Sequence, residues 1–380
     1  DLNVYGGNEM TDVGHGLTGT GGKCTVKMTG STLGVPRTLA QIAAHPVTCY
    51  LFGAVKGDQR IFFNKSTNVK DVEVEVSGTA RIYGSVFGGG EDGHVQKDVK
   101  LDIKEGLTIG TGENAVRYPY IGTWGTSYVD GNIFGGGRGF AGDAYTAGNI
   151  AGSVSLNISD GTMLGSVYGG GRLGSVGYGL YESTETDGNN KYGMMQDDGY
   201  GDYYLDNGVY KRDAIEGFKR GHIDITISGG TIGNTNEFIV PNATNITAAS
   251  ILETDISKWK AETEDDSEWT TWKNYHNVPY TVFDTSNGRL SHTKGGNVFA
   301  GGMGRYYKLD GITPISTYNS ETGALTSPID WTKLGNVKST NLTISGDAWI
   351  MGNVYGGGEF GAVTGSHTTG EKVYGTEIVI

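Results

Sequence analysis

Four aspartates, Asp197, Asp198, Asp202 and Asp206, crowd the glycine-containing stretch QDDGYGDYYLDNG at 196–208. Hard oxygen ligands in such a loop suit calcium, which makes calcium the candidate cofactor. Their spacing follows neither the EF-hand loop nor the nonapeptide of calcium-binding β-rolls, so a solvated acidic loop competes and no metal ligand is assigned. Two segments gather aromatic side chains. Tyr181, Tyr200, Tyr203 and Tyr204 fall within 178–210, and Trp259, Trp269 and Trp272 lie in SKWKAETEDDSEWTTWKNYH within 234–295. Rings stack on sugar faces and concentrate at recognition surfaces, so these seven are the candidate binding residues. Anchoring a long insertion to its scaffold is the competing role for each of them. The stretch ILETDISKWKAE lacks Gly and Pro and reads as a short helix.

Glycoside hydrolysis needs two carboxyl groups flanking one bond. Asp and Glu together number 42 and single out no pair, while the 29 Lys and Arg residues are scattered, so no catalytic residue is assigned. The seven histidines, His15, His45, His94, His222, His276, His292 and His367, show no metal-ligand spacing and read as loop or surface residues. Cys24 and Cys49 fit one disulfide or two buried thiols equally well. The formal charge of -13 argues against nucleic acid, whose phosphates need clustered Lys and Arg. No apolar run reaches the length of a membrane-spanning helix. The chain begins at Asp1 and stops inside the strand-like TEIVI, the look of a processed product or an excised segment.

Glycine, at 66 of 380 residues, recurs beside apolar pairs. GSVFGGGEDG, GNIFGGGRGF, GSVYGGGRLG, GNVFAGGMGR and GNVYGGGEFG repeat one motif, with a shortened NVYGGNEM near the start. The triplets Gly88, Gly89 and Gly90, Gly135, Gly136 and Gly137, Gly169, Gly170 and Gly171, and Gly356, Gly357 and Gly358 are the structural candidates. Positive φ at a sharp corner and close approach between repeats are the two reasons for glycine there. The residue that follows, Glu91, Arg138, Arg172 or Glu359, varies freely and reads as solvent-facing.

Upstream of the motif sits an alternating strand closed by a turn: VEVEVSG, VSLNISDG, NLTISGD. Period-two alternation puts Val72, Val74 and Val76 on one face and Glu73 and Glu75 on the other. LDIKEGLTIG, IDITISGGTIG and TVKMTGSTLG repeat it. A short unit that cannot bury its own apolar face must stack on its neighbours. The expected fold is therefore all-β, a single right-handed parallel β-helix (β-solenoid) over residues 1–380. Insertions are expected at about 35–50, 111–130, 172–221, 234–295 and 303–336, those at 35–50, 111–130 and 234–295 falling at one joint of the unit, between the alternating strand with its turn and the glycine motif. Val86, Ile133, Val167, Val298 and Val354 then form an inward ladder, and Phe87, Phe134, Tyr168, Phe299 and Tyr355 an aromatic ladder on the opposite side. A kelch-like β-propeller is the alternative, since its blades also carry a double glycine after an apolar strand, but the triplets recur too irregularly for blades of constant length.

VYGGGE or VFGGGE, joined to an alternating strand and an SG or DG turn, resembles repeats of large adhesin-like secreted or surface proteins of gut and oral Bacteroidota, some of which carry a type IX sorting domain. The resemblance implies an extracellular or cell-surface location and an adhesive or structural role, with a glycan or a host or bacterial surface protein as partner. It brings no catalytic residues. A polysaccharide lyase or glycoside hydrolase on the same scaffold, and a filament subunit that associates end to end, are the alternatives.

Overall fold

The computed structural model describes residues 2–14, 22–36, 49–58, 67–123, 125, 131–139, 147–180, 192–207, 209–234, 283–284, 289–290, 295–304, 334–369 and 372–380. Nearly all of its regular structure is β, and the three large sheets are parallel throughout. The first holds seven long strands, Lys23–Thr29, Asp71–Gly78, Val99–Gly106, Val154–Ile158, His222–Ile227, Ser339–Ile344 and Thr376–Val379. The second joins seven two-residue strands, Val4–Tyr5, Leu51–Phe52, Val86–Phe87, Ile133–Phe134, Val167–Tyr168, Val298–Phe299 and Val354–Tyr355. The third joins six, Thr32–Leu33, Arg81–Ile82, Tyr120–Ile121, Thr162–Met163, Thr231–Ile232 and Trp349–Ile350. Successive repeats give one strand to each sheet, so neighbours in a sheet are equivalents from adjacent repeats. Parallel sheets shared among repeats are not the antiparallel blades of a propeller, and that alternative falls.

In-register pairing converts alternation into rows. Val72, Val99, Val154 and Ile223 align, as do Val74, Leu101, Leu156 and Ile225. These rows are buried, together with Val86, Ile133, Val167 and Val298 of the second sheet and Ile82, Ile121, Met163 and Ile232 of the third. Beyond these sheets, single parallel bridges link Val13 with Val69, Val95 with Ile150 and Ile150 with Val176, and the short strand Asn68–Val69 pairs with His94–Val95. On the reverse face of the second sheet the aromatic ladder forms as expected. Tyr5, Phe52, Phe87, Phe134, Tyr168, Phe299 and Tyr355 stack with centroids 4.6 to 5.1 Å apart. That spacing is the inter-strand distance itself, so the backbone ladder sets the ring stack.

The residue before each apolar pair has a structural task. Asn132 N donates to Ser85 Oγ, Ser166 N to Asn132 Oδ1, Asn297 N to Ser166 Oγ and Asn353 N to Asn297 Oδ1. A corner N–H aimed away from the strand ladder thus finds a side chain of the preceding repeat, which is why the motif reads GS or GN.

Four expectations need correction. None of the glycines in the four triplets has positive φ; the left-handed glycines lie elsewhere, as at Gly131, Gly161 and Gly346. The triplets are there for close approach, since a Cβ on Gly88 or on Gly135 would stand 2.2 Å from the carbonyl oxygen of Gly135 or Gly169 in the next repeat. Next, Glu91, Arg138 and Arg172 do not face solvent. All three are buried, and they align through bridges beside the aromatic ladder. Arg138 Nη1 and the Tyr5 hydroxyl both donate to the Glu91 carboxylate, and the Tyr168 hydroxyl donates to Glu359 Oε2 at 2.6 Å. Burial and this carboxylate together hold the Tyr5 phenol well above its usual range.

Thirdly, the expected joint holds for the insertions at 35–50 and 234–295 and not for that at 111–130. The chain leaves between the third and second sheets after Leu33 and Ile232, and between the second sheet and the bridged segments after Met303. Between Val176 and the long strand at His222 it departs from yet another corner. Thr108–Ile109 is no strand of the third sheet but pairs antiparallel with Val116–Arg117, and Tyr120–Ile121 takes the sheet position. Fourthly, His94 and His222 are buried. Cys24 and Cys49 are separate buried thiols, with burial pushing Cys24 up to about 11.

Candidate functional site

The outward side chains of the long strands form rows as regular as the inward ones. Thr25, Glu73, Lys100, Ser155, Asp224 and Asn341 align in one row, and Lys27, Glu75, Asp102, Asn157, Thr226 and Thr343 in the next. Charges are paired along them. Lys23 Nζ lies 2.5 Å from Glu73 and Lys100 Nζ 2.8 Å from Asp102, while Asn157 Nδ2 donates to Asp102 Oδ1 at 2.8 Å. The Lys23 ammonium accordingly holds the Glu73 carboxyl below its ordinary range.

Along one border of this face lies a groove of about 680 Å3. Its floor comes from strand residues and the corner that precedes them: Asp71, Asp98, Lys100, Ser153, Ser155, His222 and Asp224. One wall is residues 215–219 of the insertion that returns to the long strand at His222, and His367 stands at the end. Side-chain hydrogen bonds order the corner. Asp98 Oδ1 accepts from Ser153 N at 2.8 Å, Ser153 Oγ accepts from His222 N at 3.2 Å, and His222 Nδ1 lies 2.8 Å from Ser339 Oγ. His222 also stacks on His367 with centroids 3.8 Å apart and sets Nε2 3.2 Å from Asp224 Oδ1.

Two carboxyl groups in this groove are pushed in opposite directions. Asp98 keeps an exposed side, and partial desolvation within the groove holds its carboxyl above the ordinary aspartate range against the pull of the Ser153 N–H. The hydrogen bond from His222 lowers Asp224. Burial and the neighbouring His222 also keep His367 below the usual imidazole value.

Of the candidate aromatics, the described insertion brings two together. Tyr200 and Tyr203 each place a ring centroid 4.7 Å from the Arg212 guanidinium carbon, and Arg212 pairs with Asp198 at 2.6 Å. This cluster borders a second hollow with Met194, Met195 and Gln196. Tyr204 is an anchor instead. It is buried, and its hydroxyl donates to Asp213, which Lys70 grips at 3.1 Å. Tyr181, Trp259, Trp269 and Trp272 lie outside the described residues, as does the expected helix at ILETDISKWKAE.

The four calcium-candidate aspartates part company. Asp197 accepts from Lys338 Nζ and from Arg220 N, Asp198 pairs with Arg212, Asp206 with Lys211, and Asp202 is buried beneath the insertion. No group of three or more metal-capable side chains forms among the described residues. Asp202 receives the Leu180 N–H, and burial raises it to about 7 despite the Arg220 guanidinium nearby.

A carboxyl raised in the folded state binds more protons there than when unfolded, so its contribution to stability falls as pH rises from about 4 to about 7. Asp202→Asn removes this dependence. The melting temperature of the variant relative to the unmutated chain is expected to move in the variant's favour across that window, whatever the offset at low pH. Parallel melting curves would show that Asp202 is ionised throughout.

The fold and the groove define an all-β protein of parallel sheets with an ordered polar cleft on its longest sheet. No family model, curated protein or solved structure matches the chain. No helix among the described residues is long and apolar enough to cross a membrane.

Proposed function

We propose that this chain is a right-handed parallel β-solenoid segment that acts outside the cell or at its surface as an adhesive element, and that its groove binds an extended glycan. The handedness follows the rule for crossovers between parallel strands of one sheet. The adhesin-like, Bacteroidota-type repeat motif supports the location and the adhesive role. The observation that carries the ligand class is the groove across rows of Asp, Lys, Ser and His side chains. Donors and acceptors alternate there at the strand spacing of about 4.8 Å, comparable to the length of a pyranose unit, so a sugar chain crossing the strands meets equivalent partners at each step. Hydroxyl groups satisfy carboxylates and ammonium groups alike.

The insertion contributes the wall at 215–219 and, beyond it, Tyr200 and Tyr203 around Arg212. Glycan arrays and surface extracts screen the ligand. Lys100→Ser with Asp224→Asn is expected to weaken binding about tenfold or more, the scale of two lost charge-assisted hydrogen bonds. Unchanged binding by a folded double variant refutes the groove as the site.

A second reading rests on the opposed carboxyl groups. A carboxyl held above its ordinary range in the same groove as one held below it is how a proton donor and its partner are set apart. If the bound glycan is cleaved, Asp98→Asn should abolish cleavage while leaving binding in place. Binding without cleavage by the unmutated chain removes this reading.

A further inference from the structure

A short hairpin stands at the end of the groove, and a pair of imidazoles holds it there. His367–Thr369 pairs antiparallel with Lys372–Tyr374, with Gly365 and Gly375 at its two feet. Gly365 N donates to Lys338 O at 2.8 Å and Gly375 O accepts from Thr340 N at 2.9 Å, so both feet rest on one neighbouring segment. Glycines there absorb a swing of the backbone at little steric cost. Above the feet, polar side chains bond within the hairpin or to the strand that follows it: Thr369 Oγ1 lies 3.4 Å from the Tyr374 hydroxyl, and Lys372 pairs with Glu377. The contact back to an earlier repeat is a ring stack. His367 lies on His222 with centroids 3.8 Å apart and planes 12° from parallel, and Tyr374 packs T-shaped against His367 at 5.8 Å.

Such a stack accommodates one positive charge more readily than two. His222 is buried and has a partner at each ring nitrogen, Ser339 Oγ 2.8 Å from Nδ1 and Asp224 Oδ1 3.2 Å from Nε2. The charges around His367 are His222 itself, Asp224, Lys219 on the groove wall and Lys338 beneath the hairpin. Asp224 is already engaged by His222 and by Asn341 Nδ2 at 3.1 Å, and Lys338 by Asp197 at 2.6 Å. Glu216 lines the same wall, and Lys372 on the second hairpin strand is held by Glu377. A second imidazolium would therefore meet the first face to face, with two lysines nearby and its nearest carboxylate shared.

From this geometry we infer that the hairpin is a pH-operated latch: with His367 neutral it closes the end of the groove, and with both imidazoles charged it swings out on Gly365 and Gly375. The sign follows from linkage. A base whose proton is disfavoured in the closed state binds that proton more readily in the open one, so closure loses stability as pH falls below about 6.5, the ordinary imidazole value. Opening removes the His367 ring from the end of the groove and uncovers one face of His222. The device stands on the shape of the groove and does not depend on what the groove binds.

Hydrogen exchange of the His367–Thr369 and Lys372–Tyr374 amides, measured without ligand and corrected for the intrinsic pH dependence of exchange, tests this. Protection is expected to fall about tenfold or more between about pH 7.5 and about pH 5.5, while the strand Val154–Ile158 keeps its own. His367→Phe retains a stacking ring that takes up no proton, and His367→Leu keeps an apolar contact of smaller size. Each should hold the hairpin's protection constant over the same range. Equal protection at both pH values in the unmutated chain overturns the inference, and so does the same loss in whichever of the two variants folds.

Discussion

Gly135→Ala is expected to destabilise the fold by about 3 kcal/mol, the upper range for an overpacked interior. The added methyl would sit 2.2 Å from Gly169 O and 2.6 Å from Val154 Cγ1, and neither neighbour can retreat. The carbonyl belongs to a strand end paired on both sides, and the valine to a packed interior row. Gly88, with Gly135 O at 2.2 Å, and Gly169, with Ala300 O at 2.3 Å, face the same obstacle. Ala300 occupies this rank itself, and its surroundings differ in two ways. Thr340 stands in the row where Ile223 crowds Gly169, and the Thr340 hydroxyl draws the Gly356 carbonyl to 2.5 Å. Ala300→Gly should therefore cost only about 1 kcal/mol, through lost burial and added chain entropy. Gly170→Val should behave like Gly135→Ala, because its Cβ would approach Gly302 Cα at 2.7 Å. Denaturant titration measures all three, and a Gly135→Ala variant as stable as the parent would show that the layers are not held at this distance.

The same positions show how far the sequence could be read. Alternation in VEVEV and the recurrence of VFGGG and VYGGG carried the parallel sheets, the inward rows and the ring ladder, because those depend on a period that single residues reveal. The cause of the triplets was not visible. Glycine permits positive φ and close approach alike, and only the distance to the next repeat separates them. Glu91 and Arg138 misled for a similar reason. A charge that changes sign from repeat to repeat looks like a tolerant surface, whereas stacking places the opposite signs against each other.

The groove was missed because its residues are spread over several repeats from Lys23 to His367. Aligning the outward positions of VEVEV, VKLDI, VSLNI and HIDITI would have shown Glu73, Lys100, Ser155 and Asp224 as one row. Of the loop aromatics, Tyr200 and Tyr203 gather around Arg212. Tyr204 went to anchoring because Asp213 and Lys70, remote in sequence, complete its hydrogen-bonded chain.

Arg138→Met should cost about 3 to 5 kcal/mol, as breaking a buried ion pair from one side does. The side chains of Arg138 and Glu91 are 9% and 11% exposed, so water offers little substitute for the lost partner. Methionine fills much of the arginine's volume beside Tyr50, whose ring lies 5.7 Å from the guanidinium carbon, so the loss measures charge more than shape. With Arg138 gone the Glu91 carboxylate keeps the Tyr5 hydroxyl as its partner but loses the opposite charge that faced it. Adding Glu91→Gln should restore part of the loss at neutral pH, since removing both charges spares the cost of burying one alone. A double variant no better than Arg138→Met would assign the loss to packing.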